Sequence, residues 1–221
     1  MLRCEMTTLY QEIRAAGKAM HGKLLEATRG LGFHPLRIAK RMTLPVVGRT
    51  LIFDDEATQN AFFDFWVHEY RVNAKSLVES VDPVAAGLDP LQTEILEAHR
   101  RSRTSFWMSE AVERRAHQIR LRNLLDLETP DALMTDMGRS ESMHASGVHL
   151  AMFCRLLTVR GVTMTSGFSF VFRPERVPGI VQAYRQKTKK VPPGELPEAR
   201  FVFFLQKHRQ FGEEQIFQDV V

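Results

Sequence analysis

Residues 104–172 read TSFWMSEAVERRAHQIRLRNLLDLETPDALMTDMGRSESMHASGVHLAMFCRLLTVRGVTMTSGFSFVF, and the pattern within this stretch decides the fold. Several of its pieces alternate apolar and polar residues with the two-residue period of a half-buried strand. The last piece is the clearest. Val162, Met164, Phe168, Phe170 and Phe172 fall on one face, and Thr163, Thr165, Gly167 and Ser169 on the other. Ile119 and Leu121 alternate in the same way with Arg120 and Arg122. Five short strands in under seventy residues predict a small antiparallel five-stranded β-barrel or curled sheet, because closing a sheet removes its exposed edges. Asp126 to Pro130 and Gly138 to Gly147 are read as the loops between strands.

Upstream, periods of three and four take over. Leu9, Ile13, Ala16, Met20 and Leu24 predict one amphipathic helix over residues 6–29, stopped by Gly30 and Gly32. A short helix is expected from Pro35 to Met42, then a strand pair or extended connector around Gly48. Asp54, Asp55 and Glu56 open a second long helix. Phe62, Phe63, Trp66, Val67 and Tyr70 form its apolar stripe, with Asp64, His68 and Arg71 on the opposite side. Asp89, Pro90 and Gln92 spell a helix start with a capping box, and Glu97 is set to pair with Arg101. Beyond Phe172 a helix after Pro178 and a stiff Pro192–Pro197 linker lead into a final segment, read as helix. The fold class is therefore α+β: a helical region over 1–102, a barrel over 103–173 and a helical C-terminal tail over 174–221 packing back.

Composition narrows the function classes. A hydrophobic share of 44% with 25% charged residues is that of a folded globular chain rather than a disordered one. No apolar run approaches the roughly 20 residues of a membrane span, and Arg3, Glu5 and Arg14 interrupt any leader, so a cytoplasmic protein with no membrane partner is expected. Cys4 and Cys154 are the two cysteines, which disfavours a disulfide framework or a cysteine zinc site. Charge is unevenly spread: nine Lys or Arg against three acids in residues 1–52, two against ten in 53–97, and nineteen against thirteen in 98–221. The opposed blocks point either to segments that pack on each other or to a basic end meeting an acidic surface.

The order of features resembles a group of uncharacterised bacterial proteins in which an aromatic helix precedes a small β-barrel. The resemblance rests on Phe63-Asp64-Phe65-Trp66, Leu88-Asp89-Pro90, Ser105-Phe106, the run Ile119 to Leu125, and Gly147-Val148-His149-Leu150-Ala151. It spans residues 60–172 and implies no activity.

The motif search excludes more than it finds. There is no phosphate-binding loop and no dinucleotide fingerprint; His68-Glu69 begins a zincin pattern, but position 72 is Val. Asp64 and His68, four apart, are read as an exposed ion pair before a metal site, and no cofactor or metal is expected. Thr165-Ser166-Gly167 reads as a strand bulge. For an enzyme, the acid–base candidate is His144 with Ser142 and Asp136 in and beside the polar 138–147 loop. For a nucleic-acid or acidic-protein binder, the candidates are Arg101, Arg103, Arg120 and Arg122 with Trp107, which points outward if Phe106 and Met108 point inward. The preferred reading is a non-enzymatic binding or regulatory module using this basic barrel face. An enzyme, or a homo-oligomer joined through the aromatic tail Phe201 to Phe217, stands as the alternative.

Overall fold

The structure is a computed structural model and describes residues 2–27, 29, 31–147 and 149–213. Gly30 of the expected first stop, Val148 and Phe217 lie outside these residues. The chain divides into two compact units, one of residues 1–102 with 157–162 and one of residues 103–156 with 163–221.

The first unit is helical. Its opening helix, α1 (Leu2–Ala27), buries Ile13, Met20 and Leu24, the stripe read from the sequence, and starts before the expected residue 6. A shorter helix follows, α2 (Pro35–Arg41), capped by the His34 ring, which accepts from the Leu36 amide at 3.3 Å. The Gly48 region is a two-stranded ribbon, β1 (Val46–Val47) with β2 (Thr50–Leu51). Asp55 caps α3 (Glu56–His68) through the Thr58 amide at 2.6 Å. This helix is buried on nearly every side, and Asp64 and His68 are buried along with Phe62, Phe65 and Trp66. The exposed ion pair expected there is thus corrected to a buried polar pair.

After the short helix α4 (Leu77–Ser80), the predicted capping box opens α5 (Pro90–Arg101). The Gln92 amide donates to Asp89 at 2.8 Å, and the Asp89 amide donates to Gln92 at 3.2 Å. Glu97 pairs with Arg100 at 2.6 Å rather than with Arg101. Arg100 is oriented for it because its guanidinium also donates to the Val78 and Val81 carbonyls at the end of α4.

The strands of the second unit are β3 (Thr104–Glu113), β4 (Gln118–Asn123), β5 (Ala132–Thr135), β6 (Ala151–Val159) and β7 (Val162–Phe172). They close into a barrel in the order β3-β4-β5-β7-β6. The tip of the β6–β7 hairpin groups with the helical unit, where Arg160 holds Glu94 at 2.7 Å. The barrel is mixed rather than purely antiparallel, because β5 and β7 run parallel at Met134 and Thr163. Topology leaves no alternative: strand direction cannot alternate all the way round a closed ring with an odd number of members, so five strands require one parallel neighbour pair. The expected 138–147 loop is instead a helix, α6 (Met137–Ser146), lying between β5 and β6. Asp136 caps it through the Arg139 amide at 2.9 Å, and Gly147 ends it at φ +64°.

The two faces of the barrel wall divide their side chains by size. A five-stranded barrel is narrow. Its interior takes Trp107, Ile119, Leu121, Met134, Met152, Cys154 and Val171, closed by Met143 of α6. The bulky series Phe168, Phe170 and Phe172 lies on the outer face with Phe106 and Phe153. Two further helices complete the unit, α7 (Val177–Thr188) and α8 (Leu196–Phe211), and α8 covers that aromatic face. Phe204 stacks on Phe153 with centroids 4.2 Å apart and rings 5° from parallel, and Phe201 meets Phe168 at 5.1 Å. Over its described residues the C-terminal tail is helical, as expected, and α8 lies on the aromatic face of the barrel.

Candidate functional site: an open barrel face and two buried polar clusters

Strand β4 presents the predicted basic face. Ile119 and Leu121 point into the barrel, so Arg120 and Arg122 point outward and are exposed. A bulge at Glu110, where the β3 register shifts between Ser109 and Ala111, lets Val112 return to the interior opposite Ile119. Arg120 sits across from Leu133 of β5, which is 49% exposed. Acids of the same chain hold other cations of this region: Arg122 pairs with Glu110, and Arg114 with Glu141 at 2.8 Å. Arg103 is exposed where β3 begins, while Arg101 belongs to the helical unit as the last residue of α5.

Trp107 does not join this face. It is 6% exposed and belongs to the barrel interior, whereas Phe106 takes the outward position under α8. Sequence parity alone left the two assignments interchangeable, because both wall faces are buried, the inner one by closure of the barrel and the outer one by α8. The Trp107 indole N–H finds no acceptor among the described residues.

The acid–base candidates sit on one short helix and do not converge. Asp136 is committed to the N-cap of α6, and Ser142 and His144 are exposed on its surface. His144 lies eight positions beyond Asp136, about 12 Å along the axis. Ser140 is buried, and its hydroxyl donates to the Met137 carbonyl at 3.0 Å.

A buried arginine in this helix was not anticipated. Arg139 enters the barrel, donating to Ser169 Oγ at 2.8 Å and contacting Met152 Sδ, with Asp136 Oδ2 3.7 Å from its Nε. Interior polar groups are paired locally as well: Ser105 donates to Asn123 at 2.8 Å, and the Leu150 amide donates to Ser109 Oγ at 2.8 Å. The signal for Arg139 was its place three residues after a capping Asp, in the first turn of a helix that covers the barrel.

The second cluster joins α3 to α5. His68 Nδ1 donates to the Asp64 carbonyl at 2.9 Å and lies 3.6 Å from the Asp64 carboxylate, while His68 Nε2 meets His99 Nδ1 at 2.8 Å. A carbonyl only accepts, so His68 carries its proton on Nδ1. With both rings neutral, His99 then donates to His68 Nε2. The arrangement is a hydrogen-bonded row from the Asp64 backbone carbonyl through one imidazole to a second, with the Asp64 carboxylate beside the first ring. Among the described residues no three or more His, Cys, Asp or Glu side chains are grouped to hold a metal ion.

Across residues 5–218 the sequence matches the family described as Family of unknown function (DUF7986). The chain belongs to that family. The match extends well past the 60–172 stretch that carried the resemblance and takes in both units. No curated protein and no solved structure matches the chain. Among the described residues, no helix is long and apolar enough to cross a membrane.

Proposed function

We propose that this member of the family is a binding module whose open β4–β5 face engages an acidic segment of a partner protein. The observation that carries the reading is the cross-strand pair of exposed Arg120 and exposed Leu133 beside the Arg122–Glu110 pair. A cation next to an apolar side chain suits a partner that offers carboxylates and apolar residues together.

Nucleic acid fits this face less well. Residues 103–156 carry seven arginines and seven acids, and Arg139 and Arg155 are buried among the seven, so the exposed charge is not basic enough to track a phosphate backbone. The aromatic platform that single-stranded nucleic acid stacks on is also missing, since Trp107 faces inward.

The test is selection from a displayed library of random peptides with the full chain as bait, run beside Arg120→Ala with Leu133→Ser. Enrichment of peptides combining acids with apolar residues, and loss of that enrichment in the double variant, is expected. Equal enrichment by both proteins overturns the reading. Fluorescence anisotropy with labelled oligonucleotides covers the competing partner: salt-sensitive binding abolished by Arg120→Ala assigns the face to nucleic acid instead.

A further inference from the structure

The helical unit carries a second exposed surface, unrelated to the barrel face. Four of the eight exposed large apolar side chains among the described residues, Leu31, Val46, Val47 and Ile52, lie within 22 positions of one another. The same part of the chain is wholly basic: residues 27–53 hold Arg29, Arg37, Lys40, Arg41 and Arg49 and no acid.

The ribbon's register explains why its apolar residues face outward. Val47 pairs with Thr50 and Val46 with Leu51, and the Ile52 amide donates to the Pro45 carbonyl at 3.1 Å, which extends the pairing by one step. Alternation therefore puts Pro45, Val47, Thr50 and Ile52 on one side. All four are exposed, Val47 at 69% and Ile52 at 41%. Gly48, at φ +61°, opens the turn that makes this side a projecting tip, with Arg49 beside it.

Helix α2 feeds directly into the ribbon, with the Leu44 amide donating to the Ala39 carbonyl at 2.9 Å. Ile38 and Ala39 are its buried residues, and Arg37, Lys40 and Arg41 share the exposed side at spacings of three and four. Arg37, Lys40 and Arg49 have no acidic partner among the described residues.

We propose that this surface docks the protein on an anionic lipid bilayer. Val47 and Ile52 enter the headgroup region, and Arg37, Lys40 and Arg49 meet the lipid phosphates and carboxylates. Two observations favour a bilayer over a protein. An eight-residue projecting ribbon (45–52) falls short of the roughly 20 to 30 residues a side of a stable protein interface, whereas a membrane interface accepts a small apolar tip flanked by cations. Within residues 27–53 the charge is also single-signed, which suits a surface of negative potential, and the acids that follow, Asp54, Asp55 and Glu56, belong to the start of α3, which Asp55 caps.

The experiment is co-sedimentation of the full chain with vesicles of phosphatidylcholine alone and with phosphatidylserine added, at low and at high salt. Binding confined to the anionic vesicles and weakened by salt is expected. Replacing Arg37, Lys40 and Arg49 together by Gln should lower it on the order of 100-fold, and Val47→Ser with Ile52→Ser by roughly tenfold or more. These side chains are exposed, so circular dichroism of each variant should match the parent. A Val47→Trp variant reports insertion separately, through a blue shift of its added emission when anionic vesicles are present. Absence of binding to anionic vesicles at low salt, binding unchanged in both sets of variants, or no shift from Val47→Trp overturns the proposal. Retention on polyglutamate without any vesicle binding also overturns it, and assigns the surface to an acidic protein.

Discussion

Two residues show how much single positions decide here. Asn73 and Ala74 both have positive φ, 52° and 66°, in the turn where Val72 and Lys75 exchange backbone hydrogen bonds of 2.9 and 3.1 Å. Such a two-residue hairpin turn favours Asn-Gly, because a side chain at the second position is crowded in the left-handed region. Ala74→Gly should therefore raise stability by about 1 kcal/mol, read as a higher midpoint in thermal unfolding. Asp136 is the other. Its carboxylate caps α6 through the Arg139 amide and faces the buried Arg139 guanidinium. Removing it loses a cap and leaves a buried cation with less compensation. Asp136→Ala should cost about 2 to 4 kcal/mol, while Asp136→Asn, which keeps an acceptor for the cap, should cost clearly less. Urea titration of both variants separates the two contributions.

Among the elements, α4 is four residues long and depends on its ends. Its capping box returns the Glu79 carboxylate to the Ser76 amide at 2.7 Å, and Arg71 donates to the same carboxylate at 3.0 Å. Burial pushes the Glu79 carboxyl up, but the Ser76 amide and hydroxyl and the Arg71 guanidinium outweigh it, and the group titrates below its ordinary value of 4.5. A depressed carboxyl contributes stability above its unfolded value and loses it as pH falls through the folded one. Hydrogen exchange of the Leu77 to Val81 amides should therefore speed up as pH drops below about 4.5, after correction for the intrinsic rate. Glu79→Gln should flatten that dependence. Helix α6 teaches a related lesson about legibility. Asp136 and Gly147 are recognisable start and stop signals, but GRSESMHAS between them has almost no apolar periodicity. The helix forms because Met143 and Arg139 insert into the barrel, a tertiary reward that local pattern does not display.

At the level of the whole molecule, α8 acts as part of the barrel's own wall packing. Phe204 touches Phe106, Phe153 and Phe172, with centroid separations of 4.9, 4.2 and 6.4 Å. Phe204→Ala should destabilise the protein by about 3 to 5 kcal/mol, the usual result of deleting a fully buried ring, seen as a lower urea midpoint. Phe201 and Phe203 are buried in the same layer, so these rings of the aromatic tail are used within their own unit, and among the described residues of the tail Phe211 is the exposed phenylalanine.

By itself the sequence determined the local elements: the helical first half, the strand pieces, the Asp89–Gln92 capping box and the alternation of Ile119 and Leu121 with Arg120 and Arg122. These follow from periodicity and short-range hydrogen bonding, which involve neighbours in the chain. Tertiary structure alone decided which side of each strand was inside. Phe168, Phe170 and Phe172 were legible as buried, but burial under α8 and burial inside the barrel leave the same alternating pattern. Pairing of His68 with His99, 31 positions apart, and the entry of Arg139 into the barrel depend on which elements meet. No local period carries that information, because burial of a polar side chain is set by the partner that compensates it.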